Sequence, residues 1–251
     1  MRDNPYRPPS TAILDEPVAE PGSFRWSAPR QGIVVVLGVN VALAVINLLF
    51  LALQDEMLSE ALLTGDLDTA RAAASDSRIT IGASLASLAF VAGALFWGFW
   101  SVAAAKNLRA LHPETAFEVP PGWTIGWFFV PFLNLVQPYK ATREIYVWSR
   151  TRDNDSPAES AIVGWWWLLW IVNNIFAQVT LRLAPSDSPT LEGLLTAGRV
   201  GMVSDLLTLA TAAAALVMIR RINAGQWRLR QPDAPGRSDW AERDAPYSRG
   251  G

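Results

Sequence analysis

Four stretches of this chain are longer and more continuously apolar than the core elements of a water-soluble domain. Residues 33–53, 79–105 and 200–219 are dominated by Leu, Ile, Val, Ala and Phe, and 162–183 is apolar apart from Asn173, Asn174, Gln178 and Arg182. A helix rises about 1.5 Å per residue and a bilayer core is about 30 Å thick, so roughly 20 such residues make one crossing. Lipid offers no partners to backbone N–H and C=O groups, which restricts a spanning segment to a helix or a closed barrel. Runs of this length predict an all-α membrane protein with four transmembrane helices. Residues 33–53 show the margin. They hold 15 Leu, Ile, Val or Phe, each favouring insertion by roughly 0.3–0.6 kcal/mol, which outweighs Asn40 and Asn47.

Composition agrees. Of 251 residues, 51% are hydrophobic and 12 are Trp, and mean hydropathy is positive. The first residues, MRDNPYRPPSTAILDEP, are polar and proline-rich and do not read as a signal peptide. With no Cys and one His, His112, disulfides, thiolate nucleophiles and Cys- or multi-His metal sites are excluded. A net charge of −2 argues against nucleic acid as a partner.

Charge placement sets an orientation. If 106–161 stays on one side, all of the 21 Lys and Arg except Arg71, Arg78, Arg182 and Arg199 fall on that side. The positive-inside rule then places both termini in the cytoplasm. Segment 54–78, with Asp55, Glu56, Glu60, Asp66, Asp68 and Asp76, reads as an external loop. Leu58, Ala61 and Leu62 there fit a short amphipathic helix before Gly65, or a solvated loop. Every Trp falls in the cytoplasmic half or beyond it, and a run such as Trp165–Trp167 reads as an interfacial belt anchor rather than an aromatic cage.

The segment GWFFVPFLNLVQPYK, 126–140, resists assignment as a fifth crossing. From Trp123 to Val136 is 14 residues, roughly 21 Å as a helix. Pro131 breaks the helical bonding, and a crossing here would export Lys140, Arg143, Arg150 and Arg152. We read 123–149 as a re-entrant or interfacial, proline-broken aromatic segment on the cytoplasmic side; a tilted crossing is the alternative. Asn134 and Gln137 are expected to cap carbonyls freed by Pro131 and Pro138. An amphipathic helix follows, with Ala141, Ile145 and Trp148 on one face and Lys140, Arg143, Glu144 and Arg150 elsewhere.

The run PGWTIGWFFVPFLNLVQPYKATREIYVWS, 121–149, resembles the signature of bacterial membrane proteins grouped as domain of unknown function 4328. The flanking spans fit that family's arrangement from about 33 to 221. The resemblance implies a multi-span bacterial membrane domain and supplies no activity; the expected location is the inner membrane. It also implies that Trp123, Gly126, Trp127, Pro131, Asn134, Pro138, Arg143 and Glu144 form the segment that matters. The organisation is then a disordered tail at 1–30, a membrane domain at 31–222 and a second disordered tail at 223–251.

Polar residues inside the spans are the other candidates. Asn40, Asn47 and Gln54 recur every seven residues and share one side of a helix, fitting interhelical hydrogen bonds or a polar solute path. Asn173, Asn174, Gln178 and Arg182 follow in the third crossing. Asp205 lies in the last, where an ion pair with Arg182 or proton and cation handling are the readings. Gly201, Ser204, Thr208, Thr211 and Ala215 form a small-residue face, and Ala94 with Gly98 makes a second. His112 lies in a turn-rich loop and is expected to be exposed. No HExxH, G-x-S-x-G or Walker loop occurs. The residues therefore point away from an enzyme and call for no catalytic residue, metal or cofactor. The expected role is assembly with itself or another membrane protein, with contact to membrane lipids; the alternative is a small transporter or channel whose path passes Asn40, Asn47, Asn174 and Asp205.

Overall fold

The computed structural model describes residues 28–150, 160–182 and 190–230. The described elements are helical: α1 (Ala28–Thr64), α2 (Thr69–Leu111), a single turn α3 (Trp123–Gly126), two 3-10 turns (Trp127–Phe129 and Leu133–Leu135), α4 (Gln137–Trp148), α5 (Ala161–Arg182) and α6 (Leu191–Arg230). Four of them, α1, α2, α5 and α6, are long and apolar enough to cross a membrane. The chain is a multi-pass membrane protein.

Three of these helices outrun the bilayer. At 37, 43 and 40 residues, α1, α2 and α6 reach about 55–65 Å, roughly twice the hydrocarbon thickness. The surplus at the acidic end is amphipathic. Met57 and Leu58 of α1 pack with Leu195 of α6, and Leu67, Ala72 and Leu191 close around them. The short helix expected before Gly65 is therefore the unbroken end of α1, stopped where Gly65 takes φ 72°. Asp68 then starts α2 by accepting from the amides of Ala70 and Arg71.

The helices lie in the order α2, α1, α6, α5, with α1 touching both α2 and α6. The polar stripe on α1 sets the register of both contacts. Asn40 Nδ2 donates to the Ala89 carbonyl of α2 at 3.0 Å. One heptad on, Asn47 faces Gly82, where an added Cβ would lie 3.2 Å from its Oδ1. On the other flank Asn47 meets Asp205, Leu51 meets Gly201, and Gln54 meets Gly198. Each step of seven along α1 is matched by seven in reverse on each neighbour, so the stripe faces the seam among α1, α2 and α6.

The opposite, tryptophan-rich end holds the main core. Ile33, Trp100, Ile145, Tyr146, Val163, Trp166, Trp167, Met218, Ile219 and Ile222 are buried together there. Trp97 stacks on Trp166 with centroids 4.8 Å apart, and Trp167 on Trp170 at 4.7 Å. This corrects the reading of Trp165–Trp167 as a belt. Trp165 faces out, but Trp166 and Trp167 are core residues, because the 100° step between positions turns them onto the side where Trp97 and Phe128 pack.

Helix α6 continues through Asn223 to Arg230, into what was expected as tail. Asn223 and Gln226 are buried there: Trp100 Nε1 donates to Asn223 Oδ1 at 3.2 Å, and Gln226 Nε2 donates to the Ala104 carbonyl at 3.0 Å and to Ser149 Oγ at 2.9 Å. The remaining tail expectations, 1–27 and 231–251, lie outside the described residues, as do the connections 151–159 and 183–189.

Candidate functional site

The residues from Pro121 to Ser149 fold as a broken hairpin strapped across the tryptophan-rich end. Thr124 Oγ1 donates to the Pro121 carbonyl at 2.7 Å and lies 3.3 Å from Ser101 Oγ of α2. Ile125 seats on Gly98, where an added Cβ would come within 2.8 Å of its Cδ1. Gly98 is a docking point for this turn, which is what the expected Ala94 and Gly98 pair becomes here. Gly126 is required for a different reason: a Cβ would lie 2.9 Å from the Trp123 ring. That ring packs on Trp127 at 4.5 Å. The Trp127 Nε1 is buried and has no hydrogen-bond partner among the described residues.

Pro131 ends the first turn, and the chain reverses at Phe132, whose φ of 63° and ψ of −39° are uncommon for a residue with a side chain. Asn134 N–H donates to the Val130 carbonyl at 3.0 Å. The expected side-chain caps do not form. Neither Asn134 nor Gln137 makes a side-chain hydrogen bond among the described residues; instead Trp167 Nε1 of α5 donates to the Leu135 carbonyl at 3.0 Å. An indole from a neighbouring helix reaches that carbonyl where the short local side chains do not. Pro138, at the start of α4, is buried, as its missing N–H allows in a first turn.

The reversal projects apolar side chains away from the protein. Phe129 is 82% exposed and Phe132 is 86% exposed, with Leu133, Leu135 and Val136 exposed beside them. Phe128, just before them in the chain, turns inward against Trp167 and Trp170.

Glu144 has a structural task. Its two carboxylate oxygens accept from the backbone N–H groups of Glu118, at 2.7 Å, and Val119, at 3.2 Å. Arg109 completes the clamp by donating to the Val119 carbonyl at 3.0 Å. Burial pushes the Glu144 carboxyl above its usual range, opposed by those two N–H bonds and by the Arg109 charge. A small pocket lies under the clamp, lined by Leu108, Arg109, Phe117, Thr124, Ala141 and Glu144 among others. Arg143, half-buried, makes no hydrogen bond or ion pair among the described residues.

His112 is another correction. It is buried, with Nε2 3.0 Å from the Trp148 carbonyl and its ring edge-on to Trp148 and Phe117. A carbonyl only accepts, so Nε2 carries the hydrogen. Tyr146 and Ser149 were not singled out from sequence, yet both are fully buried. The Tyr146 hydroxyl oxygen accepts from Arg150 at 3.1 Å and Arg221 at 3.3 Å, tying α4 to α6.

The intramembrane candidates divide into pairs. Asn40 Nδ2 donates to Val36 and Ala89 carbonyls, Asn174 Nδ2 to the Trp170 carbonyl at 2.7 Å, and Thr208 Oγ1 to Asn173 Oδ1 at 3.3 Å. Gln178 and Arg182 are exposed on α5. Asp205 does not pair with Arg182. The Thr208–Asn173 bond sets the antiparallel register of α5 and α6, which carries Arg182 alongside Arg199, farther toward the acidic end than Asp205. Asp205 accepts from Asn47 Nδ2 at 2.7 Å instead, and Arg199 bonds Asp55 at 2.7 Å.

A family model described as domain of unknown function (DUF4328) matches residues 64–224. The match spans α2 through most of α6, with the strapped hairpin at its middle; the crossing in α1, expected within the resemblance from about residue 33, precedes it. No curated protein and no solved structure matches the chain.

Proposed function

The chain belongs to that family, and we propose that it is a non-enzymatic protein of the bacterial inner membrane that assembles with itself or another membrane protein. Its termini are cytoplasmic, and the strapped hairpin 123–149 is a re-entrant or interfacial element that contacts lipid from the cytoplasmic side. The observation carrying this reading is the exposed pair Phe129 and Phe132 at the reversal. In water, leaving these two Phe exposed forgoes up to roughly 1.5–3 kcal/mol each; in the interface region that burial is recovered from lipid. Trp123, nearly half exposed beside them, suits the same depth.

Two observations favour assembly over the transporter alternative. Asn40, Asn47, Asn173 and Asn174 are paired rather than grouped around one open cavity. On the side of α2 turned away from α1, Ala73, Ser77, Thr80, Ser84, Ser87 and Ala94 are all exposed at heptad spacing, the small-residue surface on which membrane helices pack closely.

The test places an environment-sensitive fluorophore at Phe132→Cys in the otherwise cysteine-free chain, reconstituted in nanodiscs. Quenching by lipids brominated along the acyl chains is expected. A label quenched only by water-soluble agents would refute the lipid-contacting role.

A further inference from the structure

We propose that Asn47 and Asp205 form a proton-binding site at the seam of α1, α2 and α6, with Asp205 as the carrier and the Asn47 amide as its reversible partner. This goes beyond the assembly reading, which needs no titrating group in the crossings. The geometry supports it in three ways. The contact is short, 2.7 Å between Asn47 Nδ2 and Asp205 Oδ2, a separation equally suited to a charge-assisted N–H···O bond and to an O–H···O bond. The other amide atom, Asn47 Oδ1, is buried without a hydrogen-bond partner. The residue facing it across the seam is Gly82, which presents no side chain to the amide.

An ionised carboxylate at membrane depth requires a counter-charge or several donors, and Asn47 supplies one N–H and no charge. The charged side chains on the acidic-end halves of the surrounding helices are Asp55, Glu56 and Glu60 of α1, Arg71, Asp76 and Arg78 of α2, Arg182 of α5, and Glu192 and Arg199 of α6. None bonds Asp205. Arg199 is engaged with Asp55, and Arg78 lies over the Phe50 ring.

The step is a simple addition. A proton from the aqueous phase bonds to an Asp205 oxygen, no other bond breaks, and the carboxyl becomes neutral. The new O–H donates to Asn47 Oδ1 once the amide has rotated by half a turn, giving the orphaned oxygen its partner. Nδ2 then points at the α2 backbone near Gly82, the counterpart one heptad away of the bond that Asn40 Nδ2 makes with the Ala89 carbonyl. A metal cation fits less well: hard cations take six or more oxygens, and this layer supplies the two carboxylate oxygens and Asn47 Oδ1.

The test uses the full chain in proteoliposomes and a lipid-soluble carbodiimide, which adds only to protonated carboxyls; the modified Asp205 peptide is quantified by mass spectrometry. Labelling is expected, falling about tenfold per pH unit on the alkaline limb as the proton is lost. Asn47→Leu is expected to retain labelling but to move its pH profile. Three results would overturn the proposal: no labelling of Asp205 at any pH in the folded wild-type protein, labelling independent of pH, or labelling suppressed by sodium at constant pH. An unchanged profile in a folded Asn47→Leu protein would remove Asn47 from the site.

Discussion

Asn47 on α1 and Asp205 on α6, separated by 158 positions in sequence, are joined by a 2.7 Å hydrogen bond inside the membrane-spanning bundle. This bond links the two helices at one layer of an antiparallel heptad register, and its strength is open to measurement.

A double-mutant cycle on Asn47→Ala and Asp205→Ala isolates the pair. Interhelical hydrogen bonds in membranes contribute on average about 0.6 kcal/mol and at most about 1.7, so a coupling energy in that range is expected from unfolding in bicelles. A coupling near zero would mean the helices are registered by their small residues alone.

Gly225 lies against the backbone of Ser149, and a Cβ there would run into the Ser149 carbonyl. Backbone cannot yield as a side chain can. Gly225→Ala is expected to cost about 1–3 kcal/mol, the range for overpacking, and to loosen α4 from α6. Gly164→Ala, with nothing near its Cβ, serves as the control and should change stability little. Equal thermal stability of the two variants would contradict this packing.

Phe132 separates backbone strain from lipid contact. Replacing it by Gly relieves the positive φ, which is worth about 1 kcal/mol or more, while removing the ring. Phe132→Gly should therefore be at least as stable as wild type in detergent yet show a weaker reaction to brominated lipid at a probe on Phe129→Cys. Phe132→Ala keeps the strain and loses the ring, and should be the less stable of the two.

Glu144 makes a pH prediction with a definite sign. Its folded carboxyl binds a proton more readily than the unfolded one, whose ordinary value is 4.5. Its contribution to stability is thus fully present below that value and is lost as pH rises through the higher folded value. The stability of wild type minus that of Glu144→Gln should be largest in acid and should decline as the pH is raised across that window. A difference that grows with pH would show that the Glu118 and Val119 N–H bonds outweigh burial.

The four crossings were legible because continuous apolar length is a property of the chain itself. The same holds for the stripe of Asn40, Asn47 and Gln54, whose sevenfold spacing identified a shared face. What that face meets was not legible, since register depends on pairs such as Asn173 with Thr208 on other helices, and Arg182 was consequently assigned to Asp205. His112 and Gln226 were missed for a related reason. Polar residues in polar stretches carry no mark of burial until Trp148 or Ser149 is brought against them by the hairpin. Trp166 and Trp167 show the converse: composition places tryptophans near an interface, but only packing separates the one that faces lipid from the two in the core. The strapped hairpin was recognisable as a proline-broken segment apart from the four long helices, whereas the indole of Trp167 that bonds its Leu135 carbonyl comes from a helix more than thirty residues away.

The topology is tested most directly by single cysteines in the natural cysteine-free background. Ser59→Cys, Glu118→Cys and Ser156→Cys would each be exposed to a membrane-impermeant thiol reagent on intact cells. Labelling of Ser59→Cys alone, with the other two reacting only after the membrane is opened, is the expected result. Labelling of Ser156→Cys from outside would mean that the aromatic hairpin crosses the bilayer, and would contradict the account.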